Sequence, residues 1–538
     1  MVEKFSVQSI QLVLLGLLVM IAAVAGFARR LNISYPIVLV LAGLVAGLLP
    51  HPIRLELAPD VVFLVFLPPL LFAAAWQTSW RDFRENLISI SMLAVGLVAF
   101  TVWVAAEFAN RFLPEFDWRA GFLLGAVVSP TDAVAATSIA RRLGLPGRVV
   151  DILEGESLVN DATGLLALEL GLELVRGDAA PTVPSLVLRM VWLLGGGIAV
   201  GLLIGAIIAW FEKWINDGPV EIMISILIPF ATYLAGESIK ASGVIAVVAC
   251  GLYLGRKSVS FFSPDTRLQA MSVWDVINFL LNGLVFVLIG LQLPYVLAGI
   301  QGYSLKALIG YGVAFSAILI AARLAWVFAF TPVSGWLYRW LKGTARPAPR
   351  TAAKFIVGWT GMRGVVALAA AVSIPYSLTD TESFPVHNLI VFLTFIVILV
   401  TLVLQGLTLP PLIRRLGLAD KAGTNCEEDE ARRLIVQAAI DHLQLAREEC
   451  DQEAEHAVED LLHQYEHRME SISNCGEPLP GQSSSLYLHR LTLSTVQVER
   501  ATLIRLRDED RISDTTMRLL ERELDLSESK LNPGANRA

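Results

Sequence analysis

Apolar runs separated by short polar connections fill the chain from about residue 8 to 413, and most approach the roughly 20 residues a helix needs to cross a bilayer. Thirteen such windows fall near 8–28, 36–50, 60–77, 87–109, 118–140, 150–175, 185–211, 219–237, 242–256, 271–295, 304–330, 351–374 and 386–413. The second and ninth are short. The pattern predicts an all-α polytopic membrane protein of about 13 transmembrane helices. Past residue 418 it changes: in 427–470 and 487–530, Leu and Ile recur every three or four positions among charges, as in solvated helices. A Ser/Gly/Pro-rich break at 471–486 would let the two fold back as a hairpin. Two domains follow, a transmembrane domain at 1–418 and a cytoplasmic helical tail at 419–538 with a regulatory or partner-packing role.

Charge sets the expected orientation. Arg29, Arg30, Arg81, Arg84, Arg141, Arg142, Arg148, Arg256, Lys257, Arg267, Arg339, Lys342, Arg346, Arg350, Lys354, Arg414 and Arg415 all fall in connections on one side. Far fewer, such as Lys4, Arg54, Arg111 and Arg119, fall on the other. Basic connections stay in the cytoplasm, so the N-terminus is expected outside, the tail inside, and the number of spans odd. The first run has no basic leader or small-residue cleavage site, so no signal peptide is expected.

Composition agrees with this class. Hydrophobic residues make up 55% of the 538, and charged residues 17%, against about 25% in soluble domains. About half of the acidic residues lie in the tail, which accounts for the net charge of −7; no nucleic-acid partner is expected. Cys250, Cys426, Cys450 and Cys475 make no CxxC spacing, and the seven His show no ligand spacing. No cofactor, zinc site or disulfide framework is expected, and the tail's partner is unknown.

The candidate chemistry lies in three polar interruptions of apolar windows. In the sixth, Glu154-Gly-Glu156-Ser157-Leu-Val-Asn160-Asp161 puts Asp161 about 15 Å from the cytoplasmic end, near mid-membrane. A charge there costs several kcal/mol unless it faces protein, water or an ion. Ser157 shares its helix face, and together they offer hard oxygen ligands suited to an alkali cation. A buried carboxyl group disfavours its own charge, whereas a bound cation favours it. One group can thus hold a proton or a cation, each expelling the other. In the fifth window, Ser129-Pro130-Thr131-Asp132 would break a helix and expose carbonyls, with Asp132 at a positive half-helix end. A plain proline kink is the simpler alternative. In the twelfth, Gly358-Trp-Thr-Gly361-Met-Arg363-Gly364 is a second break, running in the opposite sense, with Arg363 at the negative end; the two suggest an inverted repeat. Glu156 and Arg323, the remaining charges in apolar windows, are expected to pair.

The stretches SPTDAVAATS, EGESLVNDATGLLAL, FLLNGLVFVLIGLQLP and GWTGMRGVVALAAAVSIP resemble the sodium/proton exchanger family, in the branch of bacterial NhaP-type and animal exchangers, over about residues 10–415. The resemblance implies a fold with two crossed discontinuous helices, a homodimer, and elevator-like movement of a core against a dimerisation domain. By motif, Asp161 matches the ion-binding aspartate and Asn160 the residue before it. Ser157, Thr131 and Asp132 match the supporting site; Asp161, Ser157 and Thr131 would ligate the ion. Glu156 and Arg323 match the core ion pair, and Pro130, Gly361, Arg363 and Gly364 the helix breaks. Relatives with two adjacent aspartates are usually electrogenic, so Asn160 implies electrically silent exchange. Ala73 stands where many members carry an acid, which leaves its effect on selectivity open.

The expectation is therefore a multi-pass antiporter of the bacterial inner membrane, set in lipid, exchanging Na+ (with K+ or Li+ as alternatives) for H+ and serving pH homeostasis. A channel would need a filter repeat, and an intramembrane protease a catalytic pair; neither is evident.

Overall fold

The computed structural model describes residues 7–31, 34–48, 59–177, 182–298 except 216, 300, 304–343, 349–375, 384, 386–418, 426–449, 452–471 and scattered positions from 495 to 524. Lys4, Arg54, Arg346, Cys450, Cys475, the break at 472–486 and most of the second tail helix lie outside them. Among the described residues all regular structure is helical. The chain divides into two compact units, Met1–Asp420 and Lys421–Ala538.

The first unit holds α1 (Val7–Leu31), α2 (Tyr35–Gly47), α3 (Pro59–Gln77), α4 (Trp80–Phe112), α5 (Trp118–Val128), α6 (Val134–Arg142), α7 (Gly147–Arg176) and α8 (Val183–Phe211). It continues with α9 (Gly218–Ser238), α10 (Gly243–Phe261), α11 (Pro264–Leu291), α12 (Leu293–Ala298), α13 (Leu305–Lys342), α14 (Thr351–Trp359), α15 (Val365–Ser373) and α16 (His387–Arg415). Eight of these are long and apolar enough to cross a membrane by length and composition. The second unit contributes α17 (Cys426–Glu449) and α18 (Gln452–Ser471), both charge-laced.

Local chemistry explains many boundaries. Asp117, Ser242, Ser263 and Ser304 accept the N–H three residues on and so cap α5, α10, α11 and α13. Gly177 and Gly343, at φ +83° and +67°, end α7 and α13 in the left-handed conformation. Several windows differ from their expected bounds, with α4 beginning at Trp80, α11 at Pro264 and α10 running to Phe261, and the largest difference is at the end of α13. The apolar signal stops near 330, yet α13 continues through Pro332 to Lys342, because an amphipathic last third with Trp336, Tyr338 and Arg339 carries the helix onward.

Apolar residues fill the interior and cover much of the outside as well. Leu188 of α8 is 71% exposed, and Leu12 and Trp192 face outward with it, whereas Arg323 is only 1% exposed. With apolar surface facing lipid, helix association depends on close backbone approach rather than on hydrophobic burial. Small residues make that approach possible. A Cβ on Gly43 of α2 would sit 2.3 Å from the Val287 carbonyl oxygen of α11, and one on Gly125 of α5 2.8 Å from the Val102 Cα of α4.

Among the described residues three π-helical turns interrupt this packing, at Val62–Phe66, Met92–Leu97 and Thr401–Gln405. Such turns loosen the i→i−4 ladder and occur frequently at functional sites. Two of them serve the centre of the molecule. The Ala94 carbonyl accepts the Thr163 hydroxyl of α7 at 2.5 Å, and Thr401 Oγ1 accepts the Arg363 N–H at 3.2 Å.

Candidate ion-binding site

Two helices are broken where the sequence places its Pro and Gly motifs. Residues 129–133 separate α5 from α6, and 360–364 separate α14 from α15. The breaks touch each other. Asp132 N–H donates to the Met362 carbonyl at 2.8 Å, and Arg363 Nε donates to the Val128 carbonyl at 2.8 Å. The guanidinium also holds the Gly361 carbonyl, so Arg363 caps the last turn of α5 and its own break. Asp132 Oδ1 accepts the Val134 N–H at 2.8 Å, placing a carboxylate at the positive start of α6. The crossing is tight enough to require glycine. A Cβ on Gly364 would lie 2.3 Å from Asp132 Oδ2, one on Gly361 2.5 Å from Arg323 Cδ, and one on Gly164 2.3 Å from Pro130 Cγ.

A buried ion pair braces the crossing. Glu156 and Arg323, each 1% exposed, meet in a two-pronged contact, with NH1 to Oε1 at 2.5 Å and NH2 to Oε2 at 2.8 Å. Arg323 also donates to the Val357 carbonyl of α14 from Nε and NH2, at 3.3 and 3.2 Å. Thr131 Oγ1 donates to Glu156 Oε1 at 3.0 Å and accepts from Asn160 Nδ2 at 2.7 Å. Its hydroxyl is thus committed to bracing, which sets it apart from Ser157 and Asp161. Ser157 Oγ accepts the Ala133 N–H at 3.3 Å. Asn160 has its amide on Thr131, while its Oδ1 is buried without a partner.

Asp161, 6% exposed, is the exception in this network. Among the described residues no group hydrogen-bonds its carboxylate; the carboxylate faces a cavity of about 320 Å³ instead. Thr131, Asp132, Ser157 and Gly364 line that cavity on one side, and Ala73 of α3 and Asn282 of α11 on the other. Toward its mouth stands Arg141, 57% exposed at its side chain, bound through both NH2 and Nε to Glu154.

The sequence motifs assign no role at the site to four of these groups. Asn278 and Asn282 were detectable as two amides four residues apart on an apolar helix, and they line the cavity. Arg141 and Glu154 are visible in the sequence, one in a basic connection and the other beside Glu156, but nothing there pairs them. The cavity is largely apolar, and the oxygens of Asp161, Ser157 and Asp132 on its lining suit a hard cation; among the described residues there is no His/Cys/Asp/Glu cluster for a transition metal.

Crossed helix breaks around a buried, unbonded carboxylate at the end of a cavity define the architecture of a secondary ion transporter. The sodium/hydrogen exchanger transmembrane family model matches residues 16–415. An uncharacterised Na+/H+ exchanger of Mycobacterium tuberculosis is 34% identical over 530 residues, 96% of either chain. The sodium, potassium, lithium and rubidium/H+ antiporter of Bacillus subtilis is 32% identical, covering 86% of this chain and 69% of that protein. The solved sodium proton antiporter MjNhaP1 of Methanocaldococcus jannaschii superimposes with a TM-score of 0.57 at 21% identity, over 75% of this chain and 97% of that one, and so shares its fold. The chain belongs to the sodium/hydrogen exchanger family, a family of ion transporters.

Proposed function

We propose that this protein is an electroneutral antiporter exchanging one monovalent cation for one proton at Asp161. The observation that carries the reading is a contrast: the Thr131 hydroxyl, the Ser157 hydroxyl and the Asn160 amide nitrogen each have a protein partner, whereas the Asp161 carboxylate is hydrogen-bonded by no described group and faces the cavity. A cation there would bind the carboxylate and the Ser157 hydroxyl, with Thr131 and Asn160 holding the shape of the cage. A proton on the carboxylate removes the charge that draws the cation, so the two occupants exclude each other. Asn160 cannot titrate, and Asp132 is held at the start of α6 by the Val134 N–H, which leaves Asp161 as the exchangeable charge and a one-for-one stoichiometry.

Na+ is the expected cation. The Bacillus subtilis relative, whose name covers sodium, potassium, lithium and rubidium, favours a permissive site that also takes K+ and Li+.

Elevator-type alternating access is supported by how the polar links are distributed. The ion pair and the crossing tie α5, α7, α13, α14 and α16 into one body. Across the cavity, α3 and α11 contribute Ala73 and Asn282. That seam is where a core could slide past a scaffold. A homodimer in the bacterial inner membrane, with thirteen spans, the N-terminus outside and a regulatory tail from 419 inside, completes the proposal; the cavity mouth at Arg141 then faces the cytoplasm.

The test is Asp161→Asn in everted vesicles. Na+-driven pH change is expected to disappear while the protein stays folded by size-exclusion chromatography, and wild-type rates in that variant would end the assignment. Rates in the native protein should not respond to a valinomycin-clamped potential.

A further inference from the structure

A second cavity, of about 470 Å³, lies between α4, α7, α13 and α14 and shares no lining residue with the one ending at Asp161. It is elongated. Along α4 its lining runs from Glu85 to Leu93, and along α13 from Arg339 back to Trp326, which is about 12 to 20 Å at 1.5 Å per residue. Its chemistry is graded along that length. The deep end is walled by Leu93, Trp326, Val327 and Val357. The outer end carries Arg148, Arg339 and Lys354 beside one acid, Glu85, whose carboxylate already lies 3.5 Å from Arg81.

A soluble anion has no use for the apolar depth, and a neutral hydrocarbon has none for the basic mouth. The helices on either side of the slot turn apolar residues outward, including Leu87 on α4 and Phe328 and Trp336 on α13, so its surroundings are the hydrocarbon itself. Basic pockets between membrane helices near the cytoplasmic surface suit anionic lipid headgroups. We infer that this slot binds one anionic phospholipid, its headgroup on Arg148, Arg339 and Lys354 and an acyl chain against Trp326, Phe330 and Val357. The inference rests on the membrane reading above and, for the leaflet alone, on the proposed orientation. Its consequence for transport runs through Val357, which lines the slot while its carbonyl takes two Arg323 donors. An occupant would press α14 onto α13 beside the ion pair and stiffen the broken helix.

The experiment uses the full-length protein in a non-ionic detergent, read by native mass spectrometry and thermal unfolding. The probes are phosphatidylglycerol, phosphatidylcholine and inorganic phosphate. Phosphatidylglycerol is expected to be retained in preference to phosphatidylcholine and to raise the unfolding temperature. At about 1 kcal/mol per basic side chain, Arg339→Ala with Lys354→Ala should weaken the preference about 30-fold. Glu85→Gln should strengthen it about fivefold, a direction that a folding defect would not produce. Equal retention of both lipids, an unchanged preference in the double variant, a weaker preference in Glu85→Gln, or the same thermal shift from inorganic phosphate alone would each overturn the inference. None of these readouts measures transport, so their failure would leave the antiport reading untouched.

Discussion

Removing Arg323 while leaving Glu156 tests whether the buried pair is a brace or an ornament. In Arg323→Met the glutamate keeps only the Thr131 hydroxyl, and the Val357 carbonyl loses two donors. Breaking a buried pair from one side costs about 3–5 kcal/mol, because an uncompensated charge stays behind. Both partners are 1% exposed, so little solvent screening relieves that cost. At about 2 °C per kcal/mol, the melting temperature should fall by roughly 6–10 °C. The double variant Glu156→Leu/Arg323→Met removes the stranded charge and should recover most of that loss, since apolar replacements of a buried pair are often neutral. Transport should not recover with it: Thr131 would have lost its acceptor, and the cage beside Asp161 its anchor. Thermal unfolding in detergent and Na+-driven proton flux in everted vesicles give the two readouts. A double variant as unstable as the single one, or one that transports at the wild-type rate, would refute the reasoning.

Gly164→Ala places a methyl group 2.3 Å from Pro130 Cγ, so the α5–α6 break must shift; flux at saturating Na+ should fall at least tenfold, and unchanged flux would mean the crossing is not rigid. Ala73→Glu adds a further carboxylate to the cavity that Asp161 and Asp132 line. It is expected to change apparent Na+ affinity, and an affinity equal to wild type in proteoliposomes would remove Ala73 from the ion path.

Much of this architecture was legible along the chain for a simple reason: a charge inside an apolar window is costly, so each one draws attention. Asp161, Glu156 and Arg323 stand out on that ground alone, and Pro130 and Gly361 mark breaks because neither suits a helix interior. Partnerships were harder to read. The contacts of Arg363 with Val128 and of Asp132 with Met362 join residues some 230 positions apart, and nothing local encodes them. The π-helical turns at Met92 and Thr401 are equally silent, because their residues look like any apolar helix. The length of α13 was hidden because the apolar run stops near 330, while the helix continues through Pro332 to Lys342. The slot between α4 and α13 was hidden by distance, since Arg148, Arg339 and Lys354 come from separate connections.

Proton release on cation addition is the most direct test of exclusive occupancy at Asp161. Purified protein in weakly buffered solution, given saturating Na+, should release up to one proton per site, and its apparent Kd should rise as the pH falls, approaching tenfold per unit. Asp161→Asn should release none. Sodium that binds with no proton released and with equal strength in acidic and alkaline solution would contradict the account.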